Sequence, residues 1–246
     1  MNPTVAIIFL SLMSFVTTAI GVALAFRFKK SEKGMVLGIG FAVGIMLFIS
    51  FLELIPVAIS GVGVARIMIA TSIGMLVLAL FDAIIPHTHL FKEEGLIRGK
   101  LIKGAYLMVF GLILHDFPEG FAMANSYLIS PSMGLLVALG IAIHNIPEEF
   151  MMTMPLVITG KKKLLIKAAI LSALAEPAGA LIGLSAAKTF SNASPYLMAF
   201  AAGAMIYVCF SELLPMATKY GRNRLLLLGI ISGTILYTIL HIIIGG

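Results

Sequence analysis

Apolar residues run through this chain in long stretches broken by short polar connections. That pattern predicts helices that cross a membrane, since a hydrocarbon core of about 30 Å takes about 20 apolar residues per helical span. Spans are expected at roughly 4–26, 35–59, 65–86, 102–127, 132–157, 164–187, 195–217 and 224–244. With connections this short, the expected fold is an all-α integral membrane protein of eight transmembrane helices, a single domain over 1–246. The first span lacks a basic leader and is followed by Arg27, Lys29, Lys30 and Lys33, so it reads as a retained span and not a cleaved signal peptide.

Composition supports the membrane reading: 60% of residues are hydrophobic, only 11% are charged, and mean hydropathy is +1.09. A net charge of +6 is compatible with a nucleic-acid partner, but its distribution argues against one. Basic residues fall on alternate connections: the first loop, then Lys92, Arg98, Lys100 and Lys103, then Lys161, Lys162, Lys163 and Lys167, then Lys219, Arg222 and Arg224. Only Arg66 and Lys188 lie on the other side. By the positive-inside rule both termini face outward and the basic loops face the cytoplasm, as in a prokaryotic inner (plasma) membrane. The single Cys209 excludes an internal disulfide and a thiolate cluster.

The acids behave in the opposite way. Glu32, Glu93 and Glu94 lie in loops, while Glu53, Asp82, Asp116, Glu119, Glu148, Glu149, Glu176 and Glu212 lie within or at the ends of spans with no Lys or Arg deep enough to pair with them. A bare carboxylate at membrane depth costs at least about 2.5–3.5 kcal/mol. These groups must therefore be protonated, hydrated or neutralised by a bound cation.

Two of the acid stretches match. His115-Asp116-Phe117-Pro118-Glu119-Gly120 is answered by His144-Asn145-Ile146-Pro147-Glu148-Glu149, each a His followed four residues on by a Glu with a Pro between. At that spacing a helix puts imidazole and carboxylate on one face, able to converge on one ion. Each Pro frees a backbone carbonyl, of Leu114 and Ile143, which a polar cavity can satisfy. A second recurrence joins Gly44–Pro56 to Gly203–Pro215 at a constant offset of 159, with the acids Glu53 and Glu212 in register. The two segments run in opposite directions through the membrane by the charge assignment. This predicts an inverted repeat in a 3+2+3 arrangement: a first repeat at about 1–90, a central pair at about 102–158, and a second repeat at about 164–246.

These stretches, with Ala175-Glu176-Pro177, FLELIP and FSELLP, resemble the Zrt-, Irt-like (ZIP) family of divalent metal transporters, in its compact prokaryotic branch. The resemblance covers essentially the whole chain. It implies transport of zinc, with iron, manganese, cobalt and cadmium as further substrates, into the cytoplasm by alternating access, without a prosthetic group. It also implies a homodimer and a binuclear metal site. His115, Glu119, His144 and Glu148 would hold the first metal with Glu53 beside them; Asp116, Asn145 and Glu176 would hold the second, with Glu148 shared. Glu149, Glu212 and Asp82 are candidates for the ion pathway. Asn is common in the family where Asp116 stands, and Gly where Glu149 stands.

Imidazole and oxygen ligands suit divalent transition metals, and the absence of thiolate disfavours Cu(I). An enzyme is not expected: no Glu-x-x-His pair of a di-iron bundle and no His-Glu-x-x-His of a metalloprotease is present. A proton or monovalent-cation carrier using the same acids remains the alternative, and the sequence does not separate a channel from a carrier. His241 reads as a core residue, though at the 159 offset it falls opposite Asp82, and His87 and His89 read as loop residues.

Overall fold

In lipid a backbone N–H or C=O finds no water, so each apolar run satisfies its own backbone by coiling. The computed structural model describes residues 2–28, 31–84, 98–158, 160–190 and 192–244, and its elements are helices throughout. The connection carrying His87, His89 and Lys92 lies outside the described residues.

Among the described residues, eight long helices follow in chain order. They are α1 (Pro3–Phe28), α2 (Glu32–Val62), α3 (Val64–Ile84), α4 (Arg98–Ile129), α5 (Pro131–Ile158), α6 (Lys162–Thr189), α7 (Ala193–Thr218) and α8 (Asn223–Ile244). Seven of them, α1 to α3 and α5 to α8, are long and apolar enough to cross a membrane. Helix α4 is 32 residues long and carries His115, Asp116 and Glu119 at its middle.

Several helices run longer than the hydropathy pattern predicts, because their connections shrink to almost nothing. Gly63 alone joins α2 to α3, at a φ of 90° that L side chains rarely adopt, and Ser130 alone joins α4 to α5. Asn2 caps α1 by accepting from the Thr4 N–H at 2.9 Å, and Ser31 caps α2 by accepting from Gly34 at 3.2 Å.

Helices α2 and α7 each widen into a π-helical turn, Ile49–Leu54 and Cys209–Leu213, just before Pro56 and Pro215. Proline has no N–H to give the carbonyl four residues back, and a wider turn re-pairs the backbone around it. Ile55 N–H reaches the Ser50 carbonyl and Leu214 N–H reaches the Cys209 carbonyl, two bonds that are 159 positions apart. The acids Glu53 and Glu212 sit in these turns.

Glycine brings particular helix pairs into backbone contact. A Cβ on Gly44 would overlap the Ile230 carbonyl, and one on Gly203 would overlap that of Thr71. Likewise Gly74 meets the Phe200 carbonyl and Gly233 meets that of Phe41. These contacts join α2 to α8 and α3 to α7, and each is carried onto its counterpart by the offset of 159. On the other side of the molecule Gly120 meets the Glu176 carbonyl and Gly179 that of Phe117, joining α4 to α6, while Gly21 joins α1 to α5 against Glu149 and Ile146. Lipid supplies no hydrophobic drive between helices, so close backbone approach is the main source of their attraction.

Polar contacts mark the two ends. Arg222, between α7 and α8, pairs with Glu32 at the start of α2 at 3.3 Å, while at the opposite end Lys188 donates to Thr4 at 3.0 Å. Between the ends, buried polar residues gather where α4, α5 and α6 face α2 and α7.

Replacing Gly203 by Val is expected to force α3 and α7 apart and to lower stability by about 1–3 kcal/mol, the usual cost of overpacking. Thermal unfolding of the purified protein in detergent, followed by loss of monodisperse elution, measures it; an unchanged midpoint would contradict the close contact.

Candidate metal centre

The four-residue spacing on α4 and α5 turns His115 and Glu119, and His144 and Glu148, toward the space between the two helices. All four side chains are buried, and ligand atoms of Glu119, His144 and Glu148 lie within 4.8 Å of one another. His144 is oriented by its own helix: Nδ1 lies 2.9 Å from the Gly140 carbonyl. A carbonyl only accepts, so Nδ1 carries the hydrogen and Nε2 is presented to Glu119 Oε1 at 2.9 Å. A lone pair and a carboxylate facing each other need a positive species between them, either a proton or a metal ion.

His115 completes one side of the group. Its Nδ1 lies 3.0 Å from Glu148 Oε1, and its Nε2 lies 3.1 Å from Glu212 Oε2, across on α7. Glu148 Oε2 is buried without a hydrogen-bond partner. Asn145 reaches the same space. In one amide orientation its Nδ2 lies 3.4 Å from Glu176 Oε2; in the other, which satisfies it better, Nδ2 donates to the Ile141 carbonyl at 2.9 Å and to Glu119 Oε2 at 3.2 Å. The donor set is therefore two imidazoles, several carboxylate oxygens and an amide. It is of intermediate softness, suited to zinc and its first-row neighbours.

The remaining acids divide among other groups. Asp116 turns away from the imidazoles and accepts from Ser172 Oγ at 2.6 Å. Glu149 accepts from Thr18 Oγ1 at 3.0 Å and from the same Ser172. Glu53, in the π turn of α2, lies 2.5 Å from His241 Nδ1 on α8. Asp82, on α3, accepts from Tyr207 at 2.7 Å and lies 3.5 Å from Ser211, both on α7. Thus His115, Glu119, His144, Asn145, Glu148 and Glu176 are brought together, Glu212 joins them through His115, Asp116 and Glu149 meet at Ser172 beside them, and Glu53 and Asp82 meet His241 and Tyr207.

Sequence reasoning missed Ser172, Thr18, Tyr207 and the role of His241. The 159 offset between His241 and Asp82 was the one signal for the last. Single hydroxyls in apolar spans carry no pattern that marks them out.

A family model described as ZIP Zinc transporter matches residues 92–241. Zinc transporter ZupT of Corynebacterium aurimucosum is 36% identical to this chain over 249 aligned positions, covering 94% of each. The proteins of the same name from Streptococcus mutans and Chlorobaculum parvum are 34% and 32% identical, again over 94% of each chain.

If the central group holds a metal, the purified protein binds zinc, and His144→Ala weakens that binding by about 10–100-fold or more, since even a supporting residue of a metal site costs that much. Calorimetric titration of parent and variant reads the difference. Equal affinities would remove His144 from the centre.

Proposed function

Because the chain belongs to the ZIP zinc-transporter family, we propose that it carries zinc, and with it iron, manganese, cobalt or cadmium, across the plasma membrane into the cytoplasm. The observation that carries this reading is the buried group of Glu119, His144 and Glu148 in a bundle of membrane-crossing helices. Glu119 there meets His144 and Glu148 meets His115, and the cation that would neutralise these carboxylates is the substrate.

Helix α4, 32 residues long and bearing His115 and Glu119 of this group, is taken as the eighth span. Both termini then lie outside, with the basic connections in the cytoplasm, consistent with the Arg222–Glu32 pair at one end. The reciprocal glycine contacts and the paired π turns support two inverted three-helix repeats, about 1–90 and 164–246, flanking the central pair of about 102–158.

In the mechanism we favour, His115, Glu119, His144 and Glu148 hold one ion. Asn145 and Glu176 hold a second with Glu148 shared; Asp116, which the resemblance adds to that set, faces Ser172 in this arrangement. The ligands sit on α4, α5 and α6, whereas Glu53 and Glu212 sit on α2 and α7. Glycine contacts tie α4 to α6 and α1 to α5, and separately α2 to α8 and α3 to α7. Sliding of the first set against the second would expose the ion first toward Glu53 and His241 and then toward Glu212 and Asp82, the pathway acids at the two ends. Glu212 now lies at His115, as a carboxylate receiving an ion would. A homodimer is the assembly expected from the resemblance.

Proteoliposomes containing the purified protein test the reading, with zinc, cadmium, manganese and sodium compared. Zinc uptake should fall to less than about a tenth in His144→Ala and in Glu148→Ala, in keeping with a metal-site loss of 10–100-fold, while both variants reconstitute normally. Proton or sodium flux with no divalent uptake would replace the proposal by a proton or monovalent-cation carrier.

A further inference from the structure

Beside the central group lies a second buried polar group that transport as described does not use. It is built from four helices: Thr18 on α1, Asp116 on α4, Glu149 on α5 and Ser172 on α6, all buried. Ser172 Oγ is 2.6 Å from Asp116 Oδ2 and in hydrogen-bond contact with Glu149 Oε1, which also accepts from Thr18 Oγ1 at 3.0 Å. Asp116 follows His115 and Glu149 follows Glu148, so this group faces about 100° away from the imidazole face on each helix.

The hydrogen count of the group does not close. Ser172 has one hydroxyl hydrogen but stands against two carboxylate oxygens, so with both acids ionised one of its contacts sets lone pair against lone pair. Thr18 spends its hydrogen on the oxygen that Ser172 already meets. Glu149 Oε2, 2% exposed as part of its residue and held in the group by its own carboxylate, has no hydrogen-bond partner at all. A buried unpaired carboxylate oxygen is among the most costly groups to leave alone. One cation among these oxygens would resolve all three defects together.

We propose that Thr18, Asp116, Glu149 and Ser172 form a second cation site, separate from the transport centre, for a hard divalent ion of the manganese, magnesium and calcium class. Two carboxylates match a double positive charge, and a donor set of carboxylate and hydroxyl oxygen without imidazole or thiolate selects hard ions. An ion there touches four helices at once and fastens α1, which gives no ligand to the transport centre, to the helices that do.

The test reads binding and does not depend on transport. Purified protein is loaded with zinc, freed of excess by gel filtration, and titrated with Mn²⁺ while the free-ion electron paramagnetic resonance signal is followed. The zinc-loaded parent should take up one Mn²⁺. Glu149→Gln, which keeps shape and removes a charge, should weaken that binding by about 10–100-fold, and Ser172→Ala by about tenfold or more. A His144→Ala, Glu148→Ala double variant should lose zinc and keep the Mn²⁺. Monodisperse elution checks each fold, and Thr18→Val serves as the third probe if one variant fails it. Absence of Mn²⁺ uptake, or uptake unchanged in the variants that fold, overturns the proposal and makes the group a network closed by a proton. Loss of zinc binding by the parent with Mn²⁺ retained would instead count against the transport reading alone.

Discussion

A carboxylate inside a membrane protein must be matched by something positive or by hydrogen-bond donors, and much of this structure depends on how that is done. Lys and Arg are kept at the helix ends, so the matching falls to histidine, hydroxyl and amide groups. A hydroxyl or a neutral imidazole supplies one hydrogen and an amide two, and Glu148 Oε2 and Glu149 Oε2 are left without a partner. A network that is short of positive charge by construction is what a site for a passing cation requires, because full satisfaction by fixed groups would leave nothing for the ion to add.

Holding this network in place falls to small residues. Where Gly44, Gly74, Gly203 and Gly233 bring backbones together, dispersion and close packing replace the hydrophobic effect that lipid cannot supply. With Gly21, Gly120 and Gly179, these contacts sort the helices into two sets, one bearing His115 and His144 and the other bearing Glu53 and Glu212. The π turns before Pro56 and Pro215 put those two acids on widened, re-paired backbone, and turns of this kind recur at functional positions in helices.

The positions matched by the 159 offset are related but not alike. At the 159 offset Glu53 matches Glu212 and His241 matches Asp82, so an imidazole stands at one position where a carboxylate stands at its counterpart. His241 Nδ1 meets Glu53 at 2.5 Å, whereas Asp82 is held by Tyr207 and Ser211. Matching positions of a common scaffold thus carry different chemistry.

The sequence by itself determined the membrane class, the order of the helices and the residues that could hold a metal. Apolar runs and the His-to-Glu spacing are local properties, set by the rise and period of a helix. Even the offset of 159 was legible, because symmetric folding leaves matching residues in matching places. What only the tertiary structure decided was which acids meet. Nothing along the chain indicates that Glu53 turns to His241, that Glu212 reaches His115, or that Asp116 and Glu149 share Ser172. Those contacts depend on the rotation of one helix about its axis against another, and that rotation is fixed by glycine-to-carbonyl packing between segments far apart in sequence.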